Sequence, residues 1–183
     1  MKQTIKPYPL IHPTTIVLIG TIYCDKANYT TIGDIAVAGL NPPLVMVSLH
    51  KNHEATKYIE THKRFSINST SSSMMKEVDY CGIHSASSKD KSSLFKSSII
   101  DELPIIDTSP INMIVDVVNS ITVEQRVIYV CKVDKTFIDN DLIKNDSLIL
   151  NKIKPLLYGL DNSYYSGINK IGTGYKEGST IPE

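Results

Sequence analysis

Two stretches of strict alternation limit what this chain can fold into more than any other feature. Met113, Val115 and Val117 share one side of the first, and Val127, Tyr129, Cys131 and Val133 share one side of the second. A period of two puts every second side chain on one face of a strand, and no helix has that period. With residues 120–125 between them, the spacing predicts an antiparallel pair joined by a polar connection.

Further strand signals lie toward the N-terminus. Residues 15–23 are a β-branched run, and residues 44–49 are an apolar run entered from Pro42 and Pro43, which a strand tolerates at its start. Helix signals are fewer. Asn52 can cap a short helix with Ala55, Tyr58 and Ile59 on one face and His62 and Lys63 near its negative end. A second helix is predicted to begin within residues 71–73 and to carry Met74, Met75 and Val78. Many strands and few short helices predict a closed or nearly closed antiparallel barrel with short helical insertions.

The serine-rich stretches 69–73 and 85–98 read as solvated loops. Strand patterns resume after each, so a single domain over residues 1–183 is expected, without internal repeats. Its length is enough to bury a core without disulfides or metal. Residues 172–183 hold three glycines and no apolar pattern and read as a mobile tail.

Charge and cysteine usage exclude several classes. The 19 basic residues balance the 19 acidic ones, which leaves no global field to draw nucleic acid or an anionic membrane. Cys24, Cys81 and Cys131 form no C-x-x-C pair and leave one thiol over under any pairing, which points to a reducing cytoplasm. Pro7, Pro9 and Pro13 interrupt any apolar run after Lys2 and Lys6, so neither a signal peptide nor a membrane span is read there. His50-x-x-His53 and Cys81-x-x-His84 offer two metal ligands each where structural zinc takes four, so no metal site is expected. There is no G-x-S-x-G, G-x-G-x-x-G or P-loop to support a hydrolase elbow, a Rossmann fold or an NTPase.

The polar clusters between Asn28 and Lys91 carry the chemical signal. They are Asn28-Tyr29-Thr30-Thr31, the strand end Ser48-Leu49-His50-Lys51, Thr56, and Ser85 through Lys91. Each sets hydroxyls, free backbone or a lysine beside an apolar strand, the groups needed to hold a phosphate and a polyhydroxyl chain. On spacing alone Lys51 is an exposed strand-end lysine, Thr56 a surface helix residue, Asn28 a turn residue and 85–92 a solvated loop.

The order of these clusters resembles that of the flavin reductase-like FMN-binding split barrels of flavoredoxin type. Two later segments fall in the same order: residues 79–85 (DYCGIHS) and 155–159 (PLLYG), the latter followed by Tyr164-Tyr165. The resemblance covers most of the chain. It implies a mostly β, Greek-key antiparallel split barrel that forms a homodimer and holds FMN non-covalently in a groove at the subunit interface. Asn28, Thr30, Thr31, Ser48, Leu49, His50, Lys51, Thr56, Ser85 and Lys91 are then the cofactor-binding residues, with Lys51, Thr56 and Lys91 converging on the phosphate.

Many family members carry a tryptophan after the glycine of the first motif. Here Gly33 is followed by Asp34, and the chain has no tryptophan. Arg126 stands where several relatives have a histidine and is the candidate contact for a nicotinamide nucleotide. No catalytic side chain is implied, because the flavin ring performs the redox step. The resemblance implies an NAD(P)H-dependent flavin oxidoreductase with NADH or NADPH as donor. The alternative is a non-enzymatic FMN-binding electron-transfer protein serving a redox protein partner.

Overall fold

The computed structural model describes residues 1–145 and 147–180. A two-residue strand β1 (Thr14–Thr15) is followed by β2 (Val17–Tyr23), β3 (Lys26–Ile32), β4 (Ile35–Leu40) and β5 (Pro43–His50). Helix α1 (Glu54–His62) leads into β6 (Arg64–Ser69), and a 3-10 turn (Ser72–Met74) into helix α2 (Met75–Ile83). Two hairpins come next, β7 (Ser97–Ile100) with β8 (Leu103–Ile106), and β9 (Ile111–Val123) with β10 (Arg126–Ile138). The short strands β11 (Ile143–Lys144), β12 (Ser147–Leu148), β13 (Leu156–Tyr158) and β14 (Tyr164–Ser166) complete the described part. None of its helices is long and apolar enough to cross a membrane.

Seven strands form one antiparallel sheet in the order β3-β2-β6-β9-β10-β5-β4. Laid flat, its outer strands would stand roughly 29 Å apart at about 4.8 Å per strand. Those two strands, β3 and β4, are joined only by Gly33 and Asp34, and three peptide steps span at most about 11 Å. The sheet must therefore curl until its margins meet, and the Ser48 N–H, donating to the Asp34 carbonyl (2.9 Å), extends the β4–β5 pairing into the join. The result is the mostly β, antiparallel split barrel that the resemblance implies.

The barrel interior is filled by Ile19, Val47, Leu49, Phe65, Ile67, Val115, Val127 and Tyr129, with α1 adding Ala55 and Ile59. A second core lies between the outer face of β2 and β3 and helix α2, where Leu18, Tyr29, Met74, Val78, Cys81 and Ile106 pack together. Strand β2 is thus buried on both faces, which explains its unbroken apolar run.

Three expectations shift in detail. The connection read over residues 120–125 shrinks to Glu124 and Gln125, because residues 120–123 stay paired with 126–129 and Glu124 takes a positive φ of 52°. Asn52 does not cap α1: His53 holds that position, and the Asn52 N–H donates to His50 Nδ1 (3.2 Å). The loop read over residues 85–98 ends in strand β7. Of the tail 172–183, residues 181–183 lie outside the described residues, and the remainder ends in a 3-10 turn, Glu177–Thr180.

Candidate functional site

Because β3 is a sheet margin, its open edge borders on α2 and the loop that follows it. Three adjoining cavities run along this strand. The first, about 160 Å³, is lined by Lys26, Ala27 and Asn28 together with Lys89, Asp90 and Lys91. The middle one, about 210 Å³, is lined by Asn28, Thr30 and Thr31 on β3 and by residues 81–86 and Lys91, with His53 and Glu54 from the start of α1. The third, about 340 Å³, takes Thr31, Gly33, Asp79, Tyr158 and Tyr164 and shares Gly82 and Ile83 with the middle one.

The middle cavity is short of an anion. Lys91 is 3% exposed, and its ammonium donates to the carbonyls of Tyr29 (2.5 Å) and His84 (3.0 Å). An ammonium carries three donors, and the third has no partner among the described residues. No carboxylate among the described residues pairs with it, and burial lowers its pKa from the usual lysine value. A buried cation left in this state is costly unless a counter-charge joins it.

Two more polar atoms on these walls are buried and unpartnered, Asn28 Oδ1 and His53 Nδ1. Asn28 uses only its amide, which donates to Thr21 Oγ1 (3.1 Å). Burial, then the neighbouring His50 and Lys91 charges, lowers the His53 pKa and favours the neutral ring. The first-turn amides of α1 add a partial positive charge beside His53. The Glu54 carboxylate there is held by Lys57 at 2.8 Å.

The third cavity is aromatic. Tyr164 donates its hydroxyl to Asp79 Oδ1 (2.7 Å), which ties β14 to α2, and its ring lies 5.3 Å from that of Tyr158 at 55°. Thr31, on the wall between the middle and third cavities, is fixed by donation from Oγ1 to the Val78 carbonyl (2.6 Å). Burial pushes the Cys81 thiol up to about 11, so it lines the wall as a neutral thiol rather than a nucleophile. Among the described residues no group of three His, Cys, Asp or Glu could hold a metal ion.

The structure brings together Asn28, Thr30, Thr31, Ser85 and Lys91 around the middle cavity. Ser48, Leu49, His50, Lys51 and Thr56 do not line it. Leu49 is fully buried in the barrel core, and Lys51 is exposed in the turn after β5. Thr56 is 3% exposed, and its hydroxyl donates to the His50 carbonyl (2.8 Å), closing the first turn of α1. His50 stands one ring away from the cavity, its centroid 5.8 Å from that of His53. Arg126 begins β10 opposite His50, pairs with Asp34 and donates from Nε to Ser48 Oγ (3.2 Å). Glu54 enters the walls without having been singled out from the sequence, Asp79 was named only within the DYCGIHS segment, and His53 only as half of the His50-x-x-His53 pair weighed for metal.

A family model described as flavin reductase like domain matches residues 10–166. No curated protein matches the sequence. Among solved structures, the flavoredoxin of Methanosarcina acetivorans is 27% identical with a TM-score of 0.89, covering 97% of this chain and 98% of that one. The flavoredoxin of Desulfovibrio vulgaris (Miyazaki F) is 23% identical with a TM-score of 0.89, covering 97% and 100%. An FMN-binding protein from Thermus thermophilus is 16% identical with a TM-score of 0.80, covering 94% and 97%.

Proposed function

This chain belongs to the flavin reductase-like domain family, and from that premise we propose that it is an FMN-binding flavoprotein acting as an NAD(P)H-dependent flavin oxidoreductase. One observation carries the reading: a cavity with a buried, carboxylate-free lysine adjoins a cavity walled by two tyrosines, with Thr31, Gly82 and Ile83 shared between them. That pair fits a ligand with a phosphate at one end and a flat ring at the other. Orphaned Asn28 Oδ1, on the wall of the lysine cavity, suits a ribityl hydroxyl, which is a donor.

In this reading Lys91 and the first-turn amides of α1 hold the phosphate, helped by the Ser85 hydroxyl. Asn28, Thr30 and Thr31 orient the polyhydroxyl chain, and Tyr164, locked by Asp79, walls the ring. The cavities are open and too small to enclose such a ligand, which leaves a ring face for the donor or for a second copy of the chain. A bound flavin supplies hydride and single-electron chemistry, and no residue here is required as acid or base. The three free cysteines, one exposed and two buried, agree with a cytoplasmic setting.

The test is spectroscopic. Purified protein is expected to bind FMN more tightly than riboflavin, and anaerobic NADH or NADPH is expected to bleach the flavin's visible band. Equal affinity for the two flavins overturns the phosphate assignment. A second reading, an electron-transfer protein serving a redox partner, is favoured by the pairing of Arg126 with Asp34, which occupies the side chain that would take the nucleotide's phosphates. Bleaching by dithionite but by neither nucleotide selects it.

A further inference from the structure

A recess of about 780 Å³ lies between the β11–β12 hairpin, with the 3-10 turn that follows it, and the segment after β14. Leu148, Ile149, Leu150 and Ile168 line it, and none of the four packs into a core of the protein. Leu148, Leu150 and Ile168 are 57%, 52% and 42% exposed, and apolar surface gathered in this way marks a place of interaction. The other lining residues are Lys144, Lys170, two asparagines and a serine, so the recess carries two positive charges and no negative one. Neither lysine forms an ion pair among the described residues. No residue of this lining is shared with the three cavities along β3.

One wall is braced by its own backbone. Ile143 and Lys144 pair with Leu148 and Ser147, the Ile149 N–H donates to the Leu142 carbonyl (2.8 Å), and the Ile153 N–H donates to the Leu150 carbonyl (3.1 Å). The buried Leu142 and the Lys152 ammonium, which donates to the Asp141 carbonyl (2.9 Å), root the hairpin in the fold. A wall held in this way is set before a ligand arrives, which keeps the ordering cost of binding low.

We propose that this recess binds an amphiphilic carboxylate, a small molecule with an aliphatic body and an anionic head. The body covers the leucines and isoleucines, and the head takes the charge that Lys144 and Lys170 lack. The volume lies within the range of about 300–1,000 Å³ typical of small-molecule sites, and a mostly apolar lining with a few polar groups is their usual composition. An aliphatic amine meets two like charges there, and a neutral chain leaves both lysines without a counter-ion. The inference is independent of the flavin reading.

Titration calorimetry of the intact protein with hexanoate, octanoate, octanol and octylamine tests this. Affinity is expected to rise roughly fourfold for each methylene added between hexanoate and octanoate. Octanoate is expected to bind more tightly than octanol and octanol more tightly than octylamine, with the advantage of the acid shrinking at high salt. Lys144→Gln/Lys170→Gln is expected to weaken octanoate about fivefold, the scale set by exposed charges, and to leave octanol unchanged. Leu148→Asp is expected to abolish binding of both without lowering the urea midpoint, since that side chain belongs to no core. Absence of saturable octanoate binding overturns the inference, as does equal binding of acid, alcohol and amine. Octanoate that is displaced by FMN lies along β3 instead and also overturns it. A wild-type dimer that binds no octanoate and becomes a monomer in Leu148→Asp marks the recess as a contact between copies, with the same consequence.

Discussion

In the proposed site Lys91 combines two duties that pull against each other, pinning the backbone of β3 to the end of α2 and keeping a charge free for a ligand. Lys91→Met leaves the carbonyls of Tyr29 and His84 without their donor. Each unsatisfied group costs about 1–3 kcal/mol, so a lower urea midpoint is expected along with a flavin affinity reduced at least about tenfold. Because burial lowers the pKa of this lysine, its charge is lost at a lower pH than that of a free lysine. FMN affinity should accordingly decline as pH rises toward 10.5, while riboflavin affinity, which does not use the charge, stays flat; parallel titrations of the two flavins across alkaline pH check this. The place of Lys91 on the cavity wall was legible because its neighbours carry the motif. The places of Lys51 and Thr56 were not, since nothing in the local sequence says that the Thr56 hydroxyl is taken by the His50 carbonyl. His53 was read only as half of a two-ligand metal pair, and its place on the cavity wall became visible only as a buried ring nitrogen with no partner among the described residues.

Elements meet most closely where β2 crosses the β7–β8 hairpin. A methyl group on Gly20 would stand 2.2 Å from Ser66 Oγ and 2.8 Å from the Pro104 carbonyl, which is backbone and cannot turn aside. Gly20→Ala is expected to cost about 1–3 kcal/mol in a denaturation experiment. At the other end of β6, Arg64 gathers Asp116 (3.1 Å), Asp101 (3.4 Å) and Asp134, joining β6, β9, β10 and the β7–β8 turn. The Lys135 hydrogen bond, then the Lys135 and Arg64 charges, hold Asp101 below the ordinary carboxylate range. A depressed carboxylate contributes its stability above the unfolded value and loses it as pH falls through the folded one. Arg64→Ala should therefore destabilise the protein more at pH 7 than at pH 3, as urea midpoints at the two values will report. Strands β2, β5, β9 and β10 and both helices could be read from run, period and face, whereas β3, β4, β6, β7 and β8 were not read, nor was the extra length of β9. Its residues 118–123 are exposed, so they extend the hairpin without any alternation to announce it.

For the whole molecule, an open groove and an apolar stripe on the β9–β10 hairpin, with Val118, Ile121 and Val123 about half exposed, agree with a dimer in solution. Sedimentation is expected to give twice the chain mass, and a monomer at full FMN occupancy would place the cofactor within one chain. A closed or nearly closed barrel was foreseeable from strand count, but the place of its closure was not, because Gly33 and Asp34 look like any turn until the sheet order puts their flanking strands at opposite margins. That short join also guards against polymerisation. A sheet with two free margins is a template for adding strands end over end, and here one covalent clasp keeps the margins from parting. A chain nicked or circularly permuted between residues 33 and 34 is expected to lose this protection and to grow into fibres while its strands remain individually sound.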